Sequence, residues 1–261
     1  PATGEVLAHI ADHTDIEVER RLARAAAAAR TWSATPLEVR TTMLRRMAAL
    51  LGEEREPLAR LATLEMGKPI QAARDEVEKC ALGCLYYADE APGFLAPERV
   101  VRAGHEDGAV HFQPLGVLLA VMPWNFPYWQ AIRAAAPALA AGNVVMLKHA
   151  SNVPQCALAI ERLFIAAGAR DGAFTTLLVS AARVGALIDD PRIAAVTLTG
   201  SEAAGRDVGA RAGGAIKPCV LELGGSDPFV VLASADVDTA AATAVRARCI
   251  NNGQSCIAAK R

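Results

Sequence analysis

The chain has 261 residues, 52% hydrophobic and 21% charged, with 27 basic against 28 acidic residues for a net charge of -1. That length holds one large domain or two small ones with a sizeable core, and the composition is that of a soluble globular protein. The even charge excludes a polyanion-binding surface, which needs clustered positive charge, and no apolar run approaches the roughly 20 residues that cross a bilayer.

The N-terminal "PATGEVLAHI" lacks a basic region followed by an apolar stretch, so it is not read as a signal peptide. Residues 14–90 carry a helical pattern rich in Ala and Leu, with Thr14 and Thr35-Pro36 as helix starts. The most basic stretch, residues 40–46, is interleaved with apolar residues and reads as the wet face of a helix. Pro92 and Pro97 punctuate the chain, and residues 98–115 alternate as a hairpin around Glu106-Asp107-Gly108.

The texture then changes. Short aliphatic runs at 116–123, 143–148, 175–179, 194–200 and 218–223 fit strands buried on both faces of a parallel sheet. Helical segments separate most of them, at 126–141, 154–167, 182–189 and 202–212. The alternation predicts an α/β sheet with right-handed crossovers, a common home for nucleotide cofactors. Residues 227–232 read as a further strand and 237–249 as a further helix.

Six cysteines are spread thinly, which suits reduced thiols in a cytoplasmic protein. Cys256 follows Gly253-Gln254-Ser255, so a turn presents it either as an accessible nucleophile or as a structural thiol. Cys80, Cys84, Cys156, Cys219 and Cys249 sit in apolar contexts and read as structural. Cys80 and Cys84 lie one helical turn apart without a second ligand pair, so no metal site is expected.

Glu222 ends "CVLEL" before Gly224-Gly225, at the end of a strand where open α/β sheets place their sites. Partial burial there would suit it to general-base work, the alternative being a strand-end glutamate paired to a lysine. In "PWNFPYWQAIR" two prolines flank Trp124-Asn125-Phe126, so the turn is stiff. Asn125 either caps the following helix or aims its amide at a developing oxyanion. Trp129 and Arg133, four apart, would form an aromatic wall with a guanidinium for a carboxylate-bearing substrate, unless Arg133 is a surface residue. Lys148 closes a strand, and Gly200-Ser201 opens a helix whose N-terminus favours an anion.

Together these landmarks resemble the aldehyde dehydrogenase superfamily. They are Pro123-Trp124-Asn125-Phe126-Pro127, Gly142-Asn143, Lys148, Thr199-Gly200-Ser201, Glu222-Leu223-Gly224-Gly225 and Gly253-Gln254-x-Cys256, in the family's order and spacing. The resemblance implies an aldehyde-dehydrogenase-like α/β fold, with a Rossmann-type parallel sheet behind a helical N-terminal segment. It implies that Cys256 attacks an aldehyde, that Asn125 and the Cys256 N–H hold the oxyanion, and that Glu222 activates the hydrolytic water. Trp124, Lys148, Ser151, Gly200, Ser201 and Leu223 would meet NAD or NADP. Within the superfamily, "GGSDPF", "KHASNVP" and Arg133 resemble succinate-semialdehyde dehydrogenases. An arginine left unpaired in an apolar tunnel would be costly, which favours a substrate bearing a carboxylate.

The sequence departs from the family pattern at several points. His149 replaces a usual proline, Ser151 stands where many NAD-preferring members carry glutamate, and Ala258 replaces the second cysteine of a redox switch. Family members are nearly twice as long, so the chain is expected to be the N-terminal portion, with the catalytic domain mostly absent. The expected division is an N-terminal helical part (1–97), a bridging hairpin (98–115), the dinucleotide-binding domain (116–232) and the start of the catalytic domain (233–261). The full-length form is expected to be a homo-oligomer, dimer or tetramer. The rival readings are a non-catalytic dinucleotide-binding fragment, a dehydrogenase for another small aldehyde, and a structural protein reusing the fold.

Overall fold

A computed structural model describes residues 1–100 and 108–261. Four helices come first: α1 (Asp15–Ser33), α2 (Leu37–Glu53), α3 (Arg55–Met66) and α4 (Ile70–Phe94). The Thr14 hydroxyl caps α1 by accepting from the Glu17 N–H, with Asp15 and Glu17 favourably placed in the first turn. The buried side of α1 is Val18, Leu22, Ala25, Ala28 and Trp32, the spacing of one helical face. Trp32 donates its indole N–H to the Leu139 carbonyl at 3.0 Å, tying α1 to the helix 129–140.

Two expectations for this region fail. Pro92 does not end a helix but lies inside α4. A proline there leaves the carbonyl four residues back without its donor, and Arg45 supplies one, donating to the Ala88 carbonyl at 3.2 Å. Arg40 is not on a wet face but buried. Its guanidinium bonds the Ser33 carbonyl and lies against Gly142, where a Cβ would come within 2.5 Å of it.

Strands β1 (Glu98–Val100) and β2 (Gly108–Val110) pair antiparallel, Val100 opposite Gly108. The expected turn at Glu106-Asp107 lies outside the described residues. Five parallel strands follow: β3 (Val117–Met122), β4 (Val144–His149), β5 (Phe174–Leu177), β6 (Ile193–Thr199) and β7 (Cys219–Glu222), in spatial order β5-β4-β3-β6-β7. Helices α5 (Trp129–Ala140), α6 (Pro154–Ala166), α7 (Val184–Asp189) and α8 (Glu202–Gly214) connect them, and α9 (Val237–Cys249) follows. Every residue of β4 is buried, as a central parallel strand requires.

The strand order reverses between β3 and β6: the chain builds outward through β4 and β5, then returns to add β6 and β7 on the other side. Such a switch point opens a crevice at the carboxyl ends of the strands. The register aligns those ends, with Met122 opposite His149, Val121 opposite Leu198 and Thr199 opposite Glu222. The residues after β3, β4, β6 and β7 therefore share one edge of the sheet.

Residues 227–232 do not form the expected strand. They make one isolated bridge, Asp227 with Ala259, and the backbone bonds Lys260 N–H to Asp227 O and Phe229 N–H to Arg261 O. Val230, Val231 and Leu232 are exposed.

Candidate active site

The loop after β3 is fixed from below. Pro127 and Tyr128 are buried, and Glu76 reaches up from α4 to accept the N–H groups of Tyr128 and Trp129 at 2.8 and 2.9 Å. That carboxylate, not Asn125, caps α5. Burial pushes Glu76 above the usual carboxylate range, and its partner Lys68, 2.7 Å away, is pushed below the usual lysine range by the same cause. His149 holds the loop from the sheet side. Its Nδ1 accepts from the Ala150 N–H, which leaves the neutral ring to donate through Nε2 to the Pro127 carbonyl at 2.7 Å. Complete burial lowers its pKa to about 4.

Asn125 is half-buried and bonded through its main chain and its side-chain nitrogen. Its main-chain carbonyl accepts from Lys68 Nζ at 2.9 Å and from Asn251 Nδ2 at 2.8 Å. Its own Nδ2 donates to the Gln254 carbonyl at 2.7 Å, leaving one further hydrogen to donate.

The loop that carries Cys256 turns through three successive left-handed residues, Asn251 (φ 53°), Asn252 (φ 56°) and Gly253 (φ 74°). Asparagine tolerates that region better than most residues, and glycine freely. Cys256 emerges half-buried behind the buried Ser255. Lys260 donates to the carbonyls of Cys256 and Gly225, at 2.6 and 2.7 Å, so the nucleophile loop is also tied to the glycines after β7.

A cleft of about 350 Å³ lies between these loops at the switch point, and Trp124, Asn125, Gly200, Ser201, Leu223 and Cys256 all line it. Ser201 caps α8 by accepting from the Ala204 N–H, and this helix N-terminus turns its positive dipole end to the cleft. Gly205 lets α8 approach β7, since a Cβ there would come within 2.6 Å of Leu223.

Five expected site residues lie outside that lining. Lys148 is buried at the end of β4, its ammonium pushed below the usual range by burial, with Asp12 countering. Ser151 borders a smaller groove of about 50 Å³ with Asp12 and His149. Trp129 packs its ring against Gly83 of α4 beneath the Lys79 ammonium, 4.2 Å from the ring centre, so it does not wall a site with Arg133. Arg133 donates to the Thr199 hydroxyl at 3.1 Å and stands 3.8 Å from Glu222. The guanidinium is therefore not left unpaired, and the cost argument for a carboxylate-bearing substrate falls. The Glu222 side chain is 53% exposed, at the end of the sheet's edge strand.

All six cysteines are free thiols. Cys80, Cys84 and Cys156 are buried, and burial pushes Cys84 up to about 12, which keeps it protonated and inert. Cys249 is exposed, against expectation, because α9 buries none of its residues. Among the described residues no group of His, Cys, Asp and Glu could hold a metal, and no helix is long and apolar enough to cross a membrane.

The aldehyde dehydrogenase family profile matches residues 1–261. The chain belongs to that family. It is 54% identical over 263 residues to succinate-semialdehyde dehydrogenase [NADP(+)] 1 of Mycobacterium tuberculosis (strain ATCC 25618 / H37Rv), covering 100% of this chain and 58% of the relative. Identity and coverage are the same for succinate-semialdehyde dehydrogenase [NADP(+)] of Mycobacterium leprae (strain TN). The crystal structure of succinic semialdehyde dehydrogenase from Streptococcus pyogenes in complex with NADP+ superposes with a TM-score of 0.96 at 38% identity, covering 99% of this chain and 57% of that one. The chain thus spans somewhat over half the length of these family members.

Sequence reasoning missed Lys68, Glu76, His149 as an anchor, and Asn251. Glu76 left a signal: it sits on the apolar stripe Ala73, Val77, Cys80, Cys84, where a lone carboxylate must find a partner. Lys68 left none, because a lysine after a helix-ending glycine ordinarily points to solvent.

Proposed function

We propose that this chain is the dinucleotide-binding and nucleophile-bearing part of an NADP-dependent succinate-semialdehyde dehydrogenase that oxidises the aldehyde to succinate. The reading is carried by one juxtaposition: the Cys256 and Asn125 loops and the N-terminus of α8 meet in a single cleft at the switch point. Succinate semialdehyde is the substrate named for the mycobacterial relatives.

The donor set fits a dinucleotide. The α8 N-terminus with Gly200 and Ser201 would hold the phosphates, Trp124 and Leu223 would flank the nicotinamide end, and Lys148 and Ser151 would take the adenosine end. Ser151 places no negative charge against a 2′-phosphate. When bound, the dinucleotide supplies the hydride acceptor.

The Cys256 thiolate would add to the aldehyde carbon, and the carbonyl electron pair would move to oxygen. The remaining Asn125 Nδ2 hydrogen and the Cys256 N–H would hold that oxyanion. Loss of hydride re-forms the carbonyl and leaves a thioester on Cys256. A water that gives its proton to Glu222 would add to the thioester carbon, and the thiolate would leave as the acid forms. Glu222 stands on Arg133 and outside the cleft lining, so this last role calls for a different rotamer. In this reading residues 1–97 and 116–232 serve the cofactor, 233–261 open the catalytic domain, and the full-length protein is a cytoplasmic homo-oligomer using hairpin 98–115.

Steady-state kinetics of the full-length protein over a panel of aldehydes, with NAD+ and NADP+, tests the proposal. The expected result is preference for succinate semialdehyde with NADP+ and no turnover in Cys256→Ala. Dinucleotide binding without turnover on any aldehyde would favour the non-catalytic reading instead. Ser151→Glu is expected to lower NADP+ use relative to NAD+ by about tenfold or more, since like charges a few ångströms apart repel by about 1–4 kcal/mol.

A further inference from the structure

Beneath the cleft lies a fully buried ion pair that the chemistry above does not use. The side chains of Lys68 and Glu76 are 0% and 1% exposed and 2.7 Å apart. Such a pair is often no more stabilising than apolar residues of the same volume, so stability alone does not explain it. Its remaining contacts all go to one loop. Lys68 donates to the Asn125 carbonyl and lies 3.9 Å from the centre of the Phe126 ring, while Glu76 accepts the two N–H groups that begin α5. The second acceptor position of the Asn125 carbonyl is taken by Asn251, four residues before Ser255 and five before Cys256.

We propose that Lys68 and Glu76 are positioning residues that set the Asn125 amide and, through the shared Asn125 carbonyl, the loop carrying Cys256. This rests on the reading of Asn125 as the oxyanion donor. The pair fixes the Asn125–Phe126 peptide and the two peptides that follow Pro127, so the chain on the C-terminal side of Asn125 is held from below. Oxyanion donors act through preorganised geometry, and small displacements of a catalytic group are costly in rate.

The test is the double variant Lys68→Met/Glu76→Gln in the full-length protein. It removes both charges together, leaves no lone buried ion, and keeps an oxygen to accept the α5 N–H groups. The expected result is a cooperatively folded protein whose kcat falls by about 10- to 100-fold while KM for aldehyde and dinucleotide moves by less than about threefold. In an Asn125→Ala background the same double substitution should produce a clearly smaller fall, the part that passes through the main-chain carbonyl to the Cys256 loop. An unchanged kcat, or a fall of equal size in both backgrounds, would overturn the proposal. A second readout is independent of turnover: hydrogen exchange of the Asn125 Nδ2 protons by NMR, with Asn143 as reference. Exchange faster by about tenfold at Asn125 alone supports positioning, since it reports local loosening, and equal exchange overturns it. Absence of turnover in the unsubstituted protein would sink the proposed function and leave the exchange measurement to decide this one.

Discussion

The two loops that face each other across the cleft are built differently. Residues 123–129 are stiffened by two prolines and gripped by three buried side chains, Lys68, Glu76 and His149, from a helix end, a helix and a strand. Residues 250–256 are held by polar contacts instead, with Asn252 bonded to the Gly67 carbonyl and Lys260 to that of Cys256. Ile250 and Asn252 are exposed, the turn is left-handed, and two of its side-chain or carbonyl contacts go to Asn125. The nucleophile loop is therefore set largely by its neighbour.

That asymmetry can be broken hardest at Glu76. Glu76→Ala leaves the Lys68 ammonium buried without its partner and strips the cap from α5. A loss of about 4 kcal/mol is expected in urea unfolding, in the range for breaking a buried pair.

The next effect is a pH dependence at His149. Burial holds its folded pKa at about 4, below its ordinary 6.5, so the unfolded chain takes the proton first. Stability from this group is complete above pH 6.5, falls as the pH drops toward 4 and is level below that. The expected loss across that window is about 3 kcal/mol. In His149→Gln that part of the acid limb should vanish. A limb identical in the two proteins would show that His149 is not buried neutral.

The smallest expected effect lies at the end of α8, where Ile216 is 92% exposed with φ 55°. A β-branched residue is strained in that region, so Ile216→Gly is expected to raise stability by about 1 kcal/mol in the same unfolding assay.

The sheet was legible because each strand is a short aliphatic run with a glycine, a proline or a polar turn at its end. The cleft motifs were legible because they fall on those ends. What escaped depends on partners distant in sequence. Pro92 fits inside α4 because Arg45 supplies a donor from another helix. Arg40 is buried because Gly142 leaves room for it. Residues 227–232 have the composition of a strand but bond with 259–261 only at Asp227 and Phe229. Arg133 could be placed on its helix by spacing, but its contact with Thr199 and Glu222 needed the register of β6 and β7.

The central claim is that the loop of Cys256 is held through Asn125, and hydrogen exchange in Asn125→Ala/Asn251→Gly, which removes both bonds between them, tests it most directly. The amide of Gln254, bonded to the Asn251 carbonyl within the turn, is the reporter. Exchange at Gln254 should quicken by about tenfold or more, while amides of β6 keep their protection. Unchanged exchange at Gln254 would show that the loop stands by itself, and the account of a borrowed geometry would be wrong.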